Sequence, residues 1–268
     1  PQPEPQPEPE SIPEPEPQPE PLFYRQKEER IEAKYLKHQT YLDEIHISRC
    51  WEEFGYGSKE IVVAIADSGI WKEHPDLTDN MDNNYSYNTG ISDDYSNFIH
   101  PNNFNKDDRQ KINHGTAIAS LIAGTGKSLL KGVCPNVSLA NFRIFEVAKS
   151  GYLFKLIGIN TNNLKYSLFY KADIINNSWG LPSKVIYEDK NIVKWIKDGT
   201  KYGRSGLGII SVWASGNSGW ETGGFTDYAT FDYVLNMRQT IVVGSTFYKY
   251  RATYSESGSN LLCCAPGG

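Results

Sequence analysis

No stretch of this sequence approaches the ~18 consecutive apolar residues of a membrane-spanning helix, so none is expected. Cysteine is scarce: Cys50, Cys134, Cys263 and Cys264 are the four in 268 residues. None has a Cys-x-x-Cys or His–Cys spacing, which argues against a thiolate metal site. Four in this length make no disulfide framework, and Cys134 and the vicinal pair Cys263 and Cys264 are expected as small buried hydrophobic residues. A basic excess is missing as well. The net charge is −5, but residues 1–21 hold six Glu and no Lys or Arg, leaving 27 basic against 26 acidic residues elsewhere. A nucleic-acid surface needs clustered basic charge, so that class of partner is excluded. The chain begins at Pro1, not Met, and stops at Gly267-Gly268 without a closing helix or strand. Both ends read as cuts in a longer protein.

What is present divides into three parts. Residues 1–21 alternate Pro with Glu or Gln. Proline at that density forms neither helix nor sheet, and repelling carboxylates keep the segment extended, as a polyproline spacer. Spacers of this kind hold a domain away from a membrane or wall, which points to a secreted or cell-envelope setting. Residues 22–46 are charged and helix-favouring and predict a lead-in helix. Residues 47–268 alternate helical segments with short apolar, β-branched runs: Ile61–Ala66, Val137–Phe142, Ala172–Asn176, Leu207–Val212 and Thr240–Val243. Such runs are strands buried on both faces, and the alternation predicts an α/β domain with a mostly parallel sheet between helices. Ligands of such sheets bind beyond the carboxyl ends of the strands.

The distinctive polar residues fall at those ends. Asp67 closes the first run, where a carboxylate can accept the Nδ1–H of an imidazole and fix its tautomer. Taken alone it is equally a turn residue. His114 opens the segment HGTAIASLIAG, whose helix is expected to bury Ile118, Leu121 and Ile122. A histidine held beside a strand-end Asp suits a general base, although a lone His is more often structural. Asn217 sits between Gly216 and Ser218-Gly219 at the end of a strand, where its amide can donate to a developing oxyanion. It is equally a left-handed turn residue.

Together and in this order, DSGI, HPDL, HGTAIASLIAG, NNSWG and WASGNSG resemble the successive signatures of the subtilase family of serine peptidases. The resemblance runs from about Cys50 to Gly268. It implies a three-layer fold lacking its C-terminal part, with Asp67 and His114 as two members of an Asp–His–Ser triad and Asn217 in the oxyanion hole. Ser178, Trp179 and Gly180 would bind a peptide or protein substrate, and the enzyme would be a monomer. The segments IINNSWG and RQTIVVGSTFYKYRATYSESGSNLLCCAPGG are most similar to the kexin- and furin-like members. That similarity implies a structural Ca²⁺ held by Asp76 and by Thr125, Ser128, Leu130 and Gly132, with Ser128 where the subgroup has Asn. It maps Asp227 and Glu256 onto a second calcium site and Asp232 onto an acid of the S1 pocket. Ser183 stands where a further acid is expected. The family's nucleophilic motif, GTSxAxP, does not occur in these 268 residues. Truncation of a serine endopeptidase is the expectation, and a non-catalytic binding protein on the same fold is the alternative.

Overall fold

The computed structural model describes residues 38–82, 87–88, 113–147, 154–156, 172–180, 190–219 and 227–267. The Pro/Glu segment and most of the expected lead-in helix, residues 22–37, lie outside them, as does Ser183. Within the remainder of that stretch one short helix forms, and the next begins where the stretch ends. Helix α1 covers Thr40–Glu44 and α2 covers Ile47–Phe54. Between them His46 takes a left-handed conformation, φ 54°. A continuous helix cannot pass through a residue of that φ.

All five expected strands form, with ends shifted by at most four residues. β1 is Val62–Asp67, β2 Tyr87–Asn88 and β3 Ser138–Arg143. The pair β4 (Phe145–Val147) and β5 (Phe154–Leu156) makes a separate antiparallel hairpin. β6 is Ile174–Asn177, β7 Ile210–Ala214, β8 Thr240–Phe247, β9 Tyr250–Arg251 and β10 Leu261–Pro266. The sheet runs β10-β8-β7-β6-β1-β3-β2, every neighbour parallel, and β9 folds back antiparallel on β8. The chain is therefore an α/β fold whose parallel strands share one carboxyl edge.

Alternation along β1 explains the layers. Val62, Ala64 and Ala66 join a core with Phe142, Ile175 and the apolar face of helix α4, formed by Ile192, Val193, Trp195 and Ile196. Val63 and Ile65 face the other way, against Leu139 and Ala119 and Ala123 of helix α3. Here α3 is His114–Ala123 and α4 is Lys190–Tyr202. Burying each large aliphatic contributes about 1.5–3 kcal/mol.

Two expectations are corrected. The face α3 buries is Gly115, Thr116, Ala119, Ser120 and Ala123, while Ile118 and Ile122 are partly buried and Leu121 is 39% exposed. Small side chains let the helix approach the sheet closely, and the bulky ones flank the contact. Cys263 and Cys264 are exposed, not buried, because among the described residues β10 lies at the edge of the sheet and pairs with β8 alone, and Cys134 is partly buried.

Candidate active site

Strand β1 carries Asp67 to the carboxyl edge and leaves its side chain buried, at 2% exposure. Helix α3 starts at His114 and brings the imidazole to it: Nδ1 lies 2.9 Å from both carboxylate oxygens. The Asp67 side chain is 3% exposed and the His114 side chain 47% exposed, so one end of the pair is dry and the other open. The hydrogen bond from Asp67 raises the His114 pKa above its ordinary 6.5, partial burial opposes the rise, and the carboxylate charge adds to it.

Three contacts fix this geometry. The Ser68 N–H donates to Asp67 Oδ1 at 2.6 Å, and Ser68 Oγ accepts the Gly115 N–H at 3.1 Å. Thr116 Oγ1 accepts the Trp71 N–H at 2.9 Å, tying α3 to the segment after β1. Gly115 is required by the approach itself, since a Cβ there would stand 2.5 Å from the Gly69 carbonyl oxygen and 3.1 Å from Asp67 Cβ. Sequence reasoning missed the roles of Ser68 and Thr116, although both lie inside the words DSGI and HGT.

Asn217 follows β7, two strands from β1 along the same edge, and is exposed. Next to it a cleft of about 60 Å³ is lined by Gly180, Ser215, Gly216, Asp227, Asp232 and Glu256, among others. Gly216 has φ 110°, and Glu256 closes over it where any Cβ would collide. Glu256 accepts the Ser218 N–H at 3.1 Å, and Asp232 accepts those of Val234 and Leu235 at 2.7 and 3.2 Å. Burial raises the pKa of both acids, the hydrogen bonds oppose it, and the Asp227 charge adds to it. The NNSWG residues divide. Gly180 lines the cleft, Ser178 Oγ accepts from Asn176 Nδ2 at 2.9 Å, and Trp179 packs on Trp213 with ring centroids 4.8 Å apart. Trp179 thereby supports the core beneath the edge.

The donors of the two implied calcium sites are already engaged to different degrees. Asp76 is fully buried and both its oxygens accept main-chain N–H groups, from Ser128, Leu129 and Leu130, at 2.7, 2.7 and 3.2 Å. Leu130 uses its carbonyl on the Gly126 N–H. At the second site, the described residues contain no group of three His, Cys, Asp or Glu placed to hold a metal ion. At Asp76 the carboxylate oxygens are thus taken by N–H donors, whereas Ca²⁺ takes six to eight oxygens at about 2.3–2.6 Å.

Comparison with known proteins bears on the same span. The model of the subtilase family matches residues 58–268. Proprotein convertase subtilisin/kexin type 6 of Homo sapiens is 32% identical over 227 residues, which is 82% of this chain and 21% of that protein. Furin-1 of Xenopus laevis is 29% identical over 86% of this chain and 28% of its own length. Subtilisin E of Bacillus subtilis is 29% identical over 80% of this chain and 48% of its own. The chain thus spans a minority of each of these relatives. Among solved structures, the serine protease of Aeromonas sobria in complex with its chaperone superposes with a TM-score of 0.62 at 20% identity, covering 80% of this chain and 37% of that one. The prenylagaramide maturation protease PagA gives 0.59 at 20% identity, covering 82% and 67%. These two likenesses concern the fold.

Proposed function

Because the chain belongs to the subtilase family, we propose that it carries the acid–base half of a serine endopeptidase. The observation that carries this reading is the His114 Nδ1 contact with Asp67 at 2.9 Å, made by a half-exposed ring to a buried carboxylate. With Nδ1–H donated to Asp67, Nε2 is the free base on the solvent side. It would take the proton of an attacking serine hydroxyl and return it to the leaving amine, while Asp67 holds the ring and stabilises the imidazolium. The Asn217 amide would donate to the oxyanion of the tetrahedral intermediate. The serine belongs to a GTSxAxP segment that these residues do not contain.

The substrate reading follows from the cleft. Asp227, Asp232 and Glu256 face a space beside Asn217 on the edge where a peptide would lie. Carboxylates partly removed from water gain most from a cationic side chain, so a basic P1 residue is the proposed preference. Among the described residues no helix is long and apolar enough to cross a membrane. A secreted or cell-envelope location is proposed from the Pro/Glu spacer.

The test starts from the coding sequence beyond Gly268. The reading expects a GTSxAxP segment within some tens of codons. Protein extended through it should be labelled by a fluorophosphonate, lose labelling in His114→Ala, and cleave peptides with Arg before the scissile bond faster than those with Leu. An extended protein that binds peptides but resists the fluorophosphonate would instead identify a non-catalytic binding protein.

A further inference from the structure

We infer that the loop after the His114 helix is closed by Asp76 acting as an internal anion, and that its order is independent of calcium. Three consecutive main-chain N–H groups, those of Ser128, Leu129 and Leu130, converge on the Asp76 carboxylate. Successive N–H groups turned toward one point form an anion site, with their partial positive charges inward. A divalent cation bound to the same two oxygens would lie beside those protons. It would also have to recruit the Leu130 carbonyl, which Gly126 already engages at 3.2 Å.

The rest of the loop is closed in the same currency of neutral donors and acceptors. The Thr125 N–H donates to the Asp76 main-chain carbonyl at 2.9 Å, and Gly132 N–H to Gly124 at 2.8 Å. Thr125 and Lys131 pair as an antiparallel bridge. Gln39, 92 residues away in sequence, meets Lys131 like one more strand residue: its amide donates to the Lys131 carbonyl at 2.8 Å and accepts the Lys131 N–H at 3.0 Å. Gln39 and Lys131 are 6% and 2% exposed. Thr125 Oγ1 is the one buried side-chain oxygen of residues 125–132 without a protein partner. Even with the main-chain carbonyls of Thr125 and Gly132 added, three neutral oxygens fall short of the six to eight that calcium takes.

Melting of the chain in millimolar Ca²⁺ and in EGTA, with calorimetric titration of Ca²⁺ alone, tests this. The wild type should melt at the same temperature in both buffers and show no saturable calcium heat that depends on Asp76. Asp76→Asn, which keeps an acceptor oxygen but removes the charge, should lower the melting point by several degrees equally in both buffers. A melting point raised by calcium in the wild type, and not in Asp76→Ala, overturns the inference. If either variant fails to fold, the wild-type pair of melts decides alone.

Discussion

The shared hydrogen bond of Asp67 and His114 joins a side chain 3% exposed to one 47% exposed. The Asp67 hydrogen bond and charge favour the imidazolium over the neutral ring, which is why the imidazole holds its charge to higher pH. The sign is that of a raised folded pKa. The pair's stabilisation is fully present below the unfolded value, about 6.5, and is lost as pH rises through the folded one. Solvent screening at the open end of the ring keeps that contribution small. The free base needed for catalysis appears in the opposite direction, as pH rises past the raised pKa. The His114 ring protons followed by NMR should therefore titrate above those of a peptide histidine, and Asp67→Asn should bring the midpoint down. A midpoint unmoved by that substitution would mean the contact is absent in solution. At this scale the sequence displayed the principals, because Asp67, His114 and Asn217 sit in recognisable words. It did not display Gln39, whose partner lies 92 positions away and shares no local pattern with it.

At the scale of elements, helix α3 shows where reading by hydrophobic weight misleads. Ile118, Leu121 and Ile122 carry most of the apolar mass of HGTAIASLIAG, yet the sheet receives Gly115, Ala119 and Ala123, spaced four apart on one face. The demand comes from the site. His114 can reach Asp67 only if the helix backbone comes within contact of β1, and large side chains on that face would hold it off. Ala119→Leu should then cost about 1–3 kcal/mol through overpacking, and should lengthen the His114 contact and lower its pKa. Leu121→Ala, on the exposed side, should stay within about 0.5 kcal/mol. Urea unfolding of the two variants distinguishes the faces, and the reverse ranking would show that the helix packs through its aliphatics. The strands fared better: the unbroken β-branched runs do form parallel strands, but only β1 and β3 are buried nearly throughout, while β6, β7 and β8 alternate buried with more exposed positions.

Over the whole molecule, alternation of strand and helix made the parallel sheet legible, but not its order. Which strands become neighbours depends on crossovers that no local pattern records, so β7 and β6 lying between β8 and β1 had to come from the structure. The order matters because it puts Asn217 and the acid-lined cleft on the same edge as Asp67 and His114, two strands away. On the proposed reading that edge would bind and polarise a peptide without being able to acylate on it. Electrostatics, positioning and a proton acceptor lower the barrier to a nucleophile's attack, and among these 268 residues the GTSxAxP nucleophile is missing. In subtilisin, losing the serine costs about 2 × 10⁶ in turnover, with a residual ~10³–10⁴ over water left to binding and the oxyanion hole. The polypeptide of this sequence should accordingly hydrolyse fluorogenic peptides no faster than that residual level, and a fluorophosphonate should not label it. Labelling at a rate abolished by His114→Ala would reveal that another serine, among those present here, is activated by the Asp67–His114 pair.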